Sequence, residues 1–144
     1  MLEFGIPIPT VCYVDRPGAY AVIQDKSQAI ALVKTSKGHF LPGGGVEPQE
    51  DLETALQREV LEEIGYGIQV REEFATAAQY LFAKSDGAYF RKVGHFFLAS
   101  LTERISEPTE TDHELVWYSV EESLRQLAHD FQKWAVRQAL ARML

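Results

Sequence analysis

The sequence predicts an α/β fold in which a mixed β-sheet is covered by helices on both faces, an α/β/α sandwich. Three observations carry this. Apolar, β-rich runs lie on both sides of one amphipathic helical stretch, that stretch has its own start and stop signals, and two further amphipathic stretches close the chain. No repeat, low-complexity tract or linker interrupts the 144 residues, so residues 1–144 read as a single domain.

Taken in order, residues 20–24 and 28–35 alternate or run apolar around the polar Asp25-Lys26-Ser27, which predicts a hairpin. His39-Phe40-Leu41 is a short third strand stopped by Pro42, and Gly43-Gly44-Gly45 follows at once. Asp51 is a good N-cap, Glu53 sits near the positive end of the helix dipole, and Gly65 stops the helix. Ala55, Leu56, Val60, Leu61 and Ile64 give that helix its apolar flank. Residues 68–82 and 90–101 then read as two long strands joined by a turn at Ser85-Asp86-Gly87. An acidic loop from Glu103 leads to a short strand over residues 115–118. Two helices follow, over about 120–128 and 130–143, with Leu124, Leu127, Phe131, Trp134 and Leu140 as their core stripe.

Composition narrows the function. With 46% hydrophobic and 24% charged residues the chain has an ordinary globular balance. Its longest apolar runs fall far short of the roughly 20 residues that span a bilayer. The first seven residues lack a basic segment followed by a sustained apolar one, so a cytoplasmic location is expected. Cys12 is the only cysteine, which excludes an intrachain disulfide and a thiolate zinc cage; it is expected as a small buried residue beside Val11 and Tyr13. The net charge of −7 disfavours a nucleic-acid polymer as partner. Of the 21 carboxylates, seven lie between Glu47 and Glu63 and seven between Glu103 and Glu122, so the acids are concentrated in two segments.

Glu59, Glu62 and Glu63 stand three, four and one residues apart on the predicted helix, within an arc of about 100°. As a solvated face this is poor design. Like charges at i,i+4 cost about 0.2–0.5 kcal/mol, Glu62 and Glu63 sit at the negative end of the dipole, and only Arg58 nearby offsets them. A divalent cation would turn the repulsion into shared ligation, and hard oxygen ligands suit Mg²⁺ or Mn²⁺ better than zinc. The glycine run adds a backbone that can turn sharply, approach a ligand closely and offer a carbonyl oxygen.

Gly44, Glu50 and the stretch Arg58-Glu59-Val60-Leu61-Glu62-Glu63-Ile64-Gly65-Tyr66 together resemble the Nudix box, G-x5-E-x7-R-E-U-x-E-E-x-G-U, where U is a bulky apolar residue. All seven fixed positions match, an event expected by chance on the order of once in a million chains of this length or more rarely. Two positions depart from the usual pattern. Tyr66 stands where an aliphatic residue is usual, and Gln49 where glycine is frequent; neither is a metal ligand. The residues before the box and those around Trp117 and Glu121-Glu122 also look family-like.

The resemblance implies a Nudix-type sandwich and Mg²⁺-dependent hydrolysis of a nucleoside diphosphate linked to another moiety, with Mn²⁺ as a possible substitute. It implies a small-molecule nucleotide substrate and no membrane partner, and it admits a homodimer. By the match, Glu59, Glu62 and Glu63 are expected metal ligands together with the Gly43 carbonyl, and Glu59 is also the expected general base or water-orienting group. Arg58 is expected to hold a carboxylate in place through a bidentate pair, with Glu50 as its partner. Glu114 is the preferred second carboxylate from a downstream loop, ahead of Asp112 and Glu110. His113 between them is expected on the polar surface, and His39, His95 and His129 lack the spacing of a zinc hydrolase.

Substrate-binding residues are not assigned. A nucleoside triphosphate, normal or oxidised, is the leading substrate, because the downstream proline of ADP-ribose hydrolases and the tyrosine of dinucleoside polyphosphate hydrolases are both out of place. Those two classes and a non-catalytic nucleotide sensor are the alternatives. Tyr80, Phe82, Tyr89 and Phe90 are the aromatic residues available to stack on a base, with sheet packing the expectation for each.

Overall fold

In the structure, a computed structural model that describes residues 1–83 and 86–143, strand β2 (Val14–Ile23) organises the molecule by its alternation. Tyr20 and Val22 point into one apolar cluster, and Ala19, Ala21 and Ile23 into another on the opposite face. Helix α1 (Leu52–Ile64) closes the second cluster with Leu56, Val60 and Ile64. Helix α3 (Asp130–Met143) closes the first with Phe131, Ala135, Val136 and Ala139. Each large aliphatic side chain buried in this way contributes roughly 1.5–3 kcal/mol.

Between the helices lie two sheets. Strands β1 (Leu2–Phe4), β6 (Tyr66–Ala83), β7 (Ala88–Arg104), β2 and β5 (Gly43–Gly45) form one, in the order β1-β6-β7-β2-β5. The other is β4 (Gly38–Phe40), β3 (Ile30–Thr35) and β8 (Glu114–Tyr118), ordered β4-β3-β8. The β1/β6 and β2/β7 pairs are parallel and the rest antiparallel, so the sheet is mixed as expected. A short helix α2 (Val120–Gln126) joins β8 to α3.

Several local expectations change. Residues 20–35 do not pair as a hairpin: β2 and β3 enter different sheets and share only the bridge between Gln24 and Ile30. The turn itself is tight, with Asp25 accepting the amides of Ser27 and Ala29 at 2.9 Å. What prevents the pairing is competition: β7 holds one edge of β2, and Pro42 to Gly45 take the other, Pro42 accepting the Ala21 amide and β5 pairing at Gly18 to Tyr20. The triple glycine is therefore strand, not only loop. Cys12 is exposed, because it lies in the irregular segment before β2, where its neighbour Tyr13 turns inward onto Tyr80 and Tyr89. Leu140 is half-buried outside both clusters, the small Ala135 and Ala139 taking the sheet-facing positions of α3. Of the expected turn at Ser85-Asp86-Gly87, Ser85 lies outside the described residues, as does Lys84.

The C-terminus of α1 matters most for the site. Gly65 adopts φ 76° and donates to Leu61 O, while its own carbonyl accepts the amides of Ile105 and Ser106. The Glu62 carbonyl accepts the amides of Thr109 and Glu110 at 3.0 and 3.1 Å. Carbonyls orphaned at the helix end thus clamp the second acidic segment onto the first. A Cβ on Gly65 would run into the Ser106 carbonyl oxygen. Gly65→Ala is therefore expected to cost about 2 kcal/mol or more, the left-handed backbone accounting for about 1 of these. A urea midpoint within error of wild type would contradict this.

Candidate active site

Asp51 accepts the Thr54 amide at 2.8 Å and starts α1, which places Arg58 two turns in, above the loop from β5. Its guanidinium is saturated. Nε and Nη2 bind the two oxygens of Glu50 at 2.6 and 2.8 Å, Nη2 also donates to Gly45 O at 3.0 Å, and Nη1 reaches Glu59 at 3.0 Å and Glu62 at 3.3 Å. The Arg58 pair, with the Glu47 amide, holds the Glu50 carboxyl down at about 2.

Glu63 turns the other way. Only 8% exposed, it accepts the Gly43 amide at 2.9 Å. Burial pushes its carboxyl well above the usual range; the Gly43 bond opposes this, and the charges of Glu59, Glu110 and Glu62 add to it. Glu59 is also raised, chiefly by burial, against the pull of Arg58. Gly44 is what lets Glu59 lie there, since a Cβ on it would sit 2.6 Å from the carboxylate carbon. Gly43, at φ 135°, has no room for a side chain against the Ala19 carbonyl.

Of the three downstream acids, Glu110 is the one whose charge acts on Glu59 and Glu63. Asp112 is committed to the Ser36 hydroxyl and amide at 2.8 and 3.2 Å, and Glu114 is exposed at the start of β8 opposite Lys34. The structure thus brings Glu110, not the preferred Glu114, to the box. His113 also leaves the surface: its Nε2 lies 3.9 Å from Glu63, and its Nδ1 is buried without a partner. His39 pairs with the Tyr118 hydroxyl at 3.0 Å and His95 with Glu73 at 2.9 Å.

Among the described residues, no three His, Cys, Asp or Glu side chains converge as a ready metal cage; Arg58 stands between Glu59 and Glu62 instead. The donor set nonetheless suits a hard cation. Burial and the charges of neighbouring carboxylates oppose the ionisation of Glu59 and Glu63, beside a glycine backbone that leaves room for their side chains.

From Glu63 and the glycines a cavity of about 900 Å³ runs toward the N-terminus of α3. Phe82, 49% exposed, and the buried Phe90 line it, while Tyr80 and Tyr89 pack on Tyr13 at 4.9 and 5.5 Å instead. Arg16 lies 4.2 Å above the Phe90 ring and is paired in register with Lys92 on the next strand. His129 and Gln132 form the far wall; burial and the nearby Lys92 hold the His129 ring neutral, its ionisation lowered to about 4. None of Arg16, Lys92, His129 and Gln132 was expected here. A signal existed for Lys92, which stands in phase with Phe90, Phe96 and Leu98 on the inward side of its strand.

The NUDIX domain matches residues 14–140. A Bacillus subtilis protein named "Putative 8-oxo-dGTP diphosphatase" is 33% identical over 98 residues, 65% of this chain and 60% of that protein. Among solved structures, the MutT protein of Methanosarcina mazei superposes with a TM-score of 0.73 at 21% identity, over 92% of this chain and 99% of that one. The MutT NUDIX hydrolase of Burkholderia pseudomallei gives 0.64 at 25% identity over 86% and 97%. An Ap4A hydrolase of C. elegans gives 0.68 at 20% over 90% and 97%. With the whole box and every strand but β1 inside the matched region, the chain belongs to the Nudix family.

Proposed function

We propose that this chain is a Mg²⁺-dependent hydrolase that cleaves a phosphoanhydride bond in a nucleoside triphosphate, normal or oxidised, and that Mn²⁺ can replace Mg²⁺. The observation that carries the reading is the group of Glu59, Glu62, Glu63 and Glu110, whose charges act on one another, with Glu63 lining a cavity walled by aromatic rings and cations. The name of the Bacillus relative supports the same substrate class.

Glu59, Glu62, Glu63 and the Gly43 carbonyl would hold the cation, which when bound neutralises phosphate charge and acidifies water. Water attacks one phosphorus, the bridging P–O bond breaks, and pyrophosphate leaves with that oxygen. Glu59 accepts the proton of the attacking water, a role favoured by its raised ionisation. Arg58 is a positioning residue: engaged by Glu50, Glu59, Glu62 and Gly45, it has no donor left for phosphate. Glu110 replaces Glu114 as the downstream acid. Every group named comes from one chain, so a homodimer is not needed to complete the site.

The test is pyrophosphate and phosphate release across nucleoside triphosphates, dinucleoside polyphosphates and ADP-ribose, with Mg²⁺ and with EDTA. Metal-dependent turnover strongest on triphosphates is expected. Binding without turnover of any diphosphate compound would identify a sensor instead.

A further inference from the structure

At the end of the cavity away from the acid cluster, the polar side chains are nearly all hydrogen-bond donors. Arg16 and Lys92 are register partners on β2 and β7, on the face that also carries Phe90, and both line the cavity. Gln132 lines it from α3 and is almost completely buried. Its orientation is fixed by chemistry, because the Leu41 amide at 2.8 Å is a donor and must meet the Gln132 carbonyl oxygen, leaving the NH₂ group. Lys92 has no acceptor capacity in any rotamer. Asp86, in the turn between β6 and β7, and the neutral His129 ring, through one nitrogen, are the acceptors of this end, and the Asp86 charge acts on Lys92.

We propose that Lys92 and Gln132 make this pocket selective for nucleobases with a carbonyl oxygen at the purine 6- or pyrimidine 4-position over those with an amino group there. The inference rests on the nucleoside triphosphate reading above and adds the base class to it. A carbonyl edge satisfies the donors left by Lys92 and Gln132. An amino group at that position turns donor against donor and leaves both unpaired beside the buried Gln132, which is the kind of mismatch that discriminates strongly. The half-exposed Phe82 ring accepts any base and does not discriminate, while Arg16 covers the Phe90 ring. Burial first, and then the charges of Arg16 and Lys37, lower the ionisation of Lys92, while Asp86 opposes them.

Isosteric pairs isolate the effect. dITP and dATP differ in the purine 6-substituent and the proton on N1, and UTP and CTP in the pyrimidine 4-substituent and the proton on N3. For wild type, kcat/KM is expected to favour the oxo member of each pair by about tenfold to a hundredfold. Lys92→Met should collapse these ratios toward one by slowing the oxo substrates while dATP and CTP change little. Gln132→Glu, which removes the donors while keeping the acceptor for Leu41, should reduce the ratios in the same direction. Wild-type ratios of one, or ratios favouring the amino member, would overturn the inference. So would a Lys92→Met loss equal for both members of each pair, which would place the ammonium on the phosphates. Absence of turnover on all four nucleotides would instead overturn the triphosphate reading itself.

Discussion

Replacing Glu62 with glutamine is expected to lower turnover by about two orders of magnitude or more while leaving the metal-free protein as stable as wild type or slightly more stable. Glu62 is the least enclosed of the box carboxylates, with about a third of its side chain exposed, and it pairs with Arg58 at 3.3 Å. Glutamine keeps an acceptor for that contact. It also removes one of the charges that raise Glu59 and Glu63, a relief of a few tenths of a kcal/mol per pair at this spacing. The same charge is needed once a cation must be held. A melting curve in EDTA showing marked destabilisation, or turnover within a few-fold of wild type, would contradict this.

Arg58→Met should produce the largest stability loss of any single change at the site, lowering the melting temperature by about 5–10 °C. The variant strands Glu50, Glu59 and Glu62 with no counter-charge and removes the tie to the Gly45 carbonyl. It should also change the pH profile. With Glu50 held at about 2 in the folded protein against an ordinary 4.5, the pair contributes stability that is present above pH 4.5 and lost as pH falls toward 2. In Arg58→Met that acid-side slope should flatten. Melting temperatures measured from pH 6 to pH 2 check both claims, and an unchanged slope would show that Arg58 does not govern Glu50.

What the sequence disclosed and what it withheld follow from the range of the interactions. The box helix was legible because its determinants are local: the Asp51 cap, the Gly65 stop and the spacing of Glu59, Glu62 and Glu63 all lie within one segment. The sandwich was legible from alternation and amphipathic stripes. The failure of residues 20–35 to pair as a hairpin was not, because it depends on residues 42–45 returning to claim the edge of β2. Similarly, the position of Glu110 against the box depends on Gly65 and Glu62 clamping the loop after β7, a contact that no spacing encodes. The cavity wall draws Arg16, Lys92 and Gln132 from three elements far apart in the chain, and only Lys92 left a trace, as a charge on the inward phase of a strand.

The central claim, that Glu59, Glu62 and Glu63 form a hard-cation site, is tested most directly by the melting temperature of wild type and of the triple glutamine variant, each with and without millimolar Mg²⁺ or Mn²⁺. A ligand that binds only the folded state stabilises it by about 2.7 kcal/mol at 100-fold saturation, so wild type should melt higher with the cation and the triple variant should not respond. Equal shifts in both proteins would place the cation elsewhere and remove the basis of the proposed chemistry.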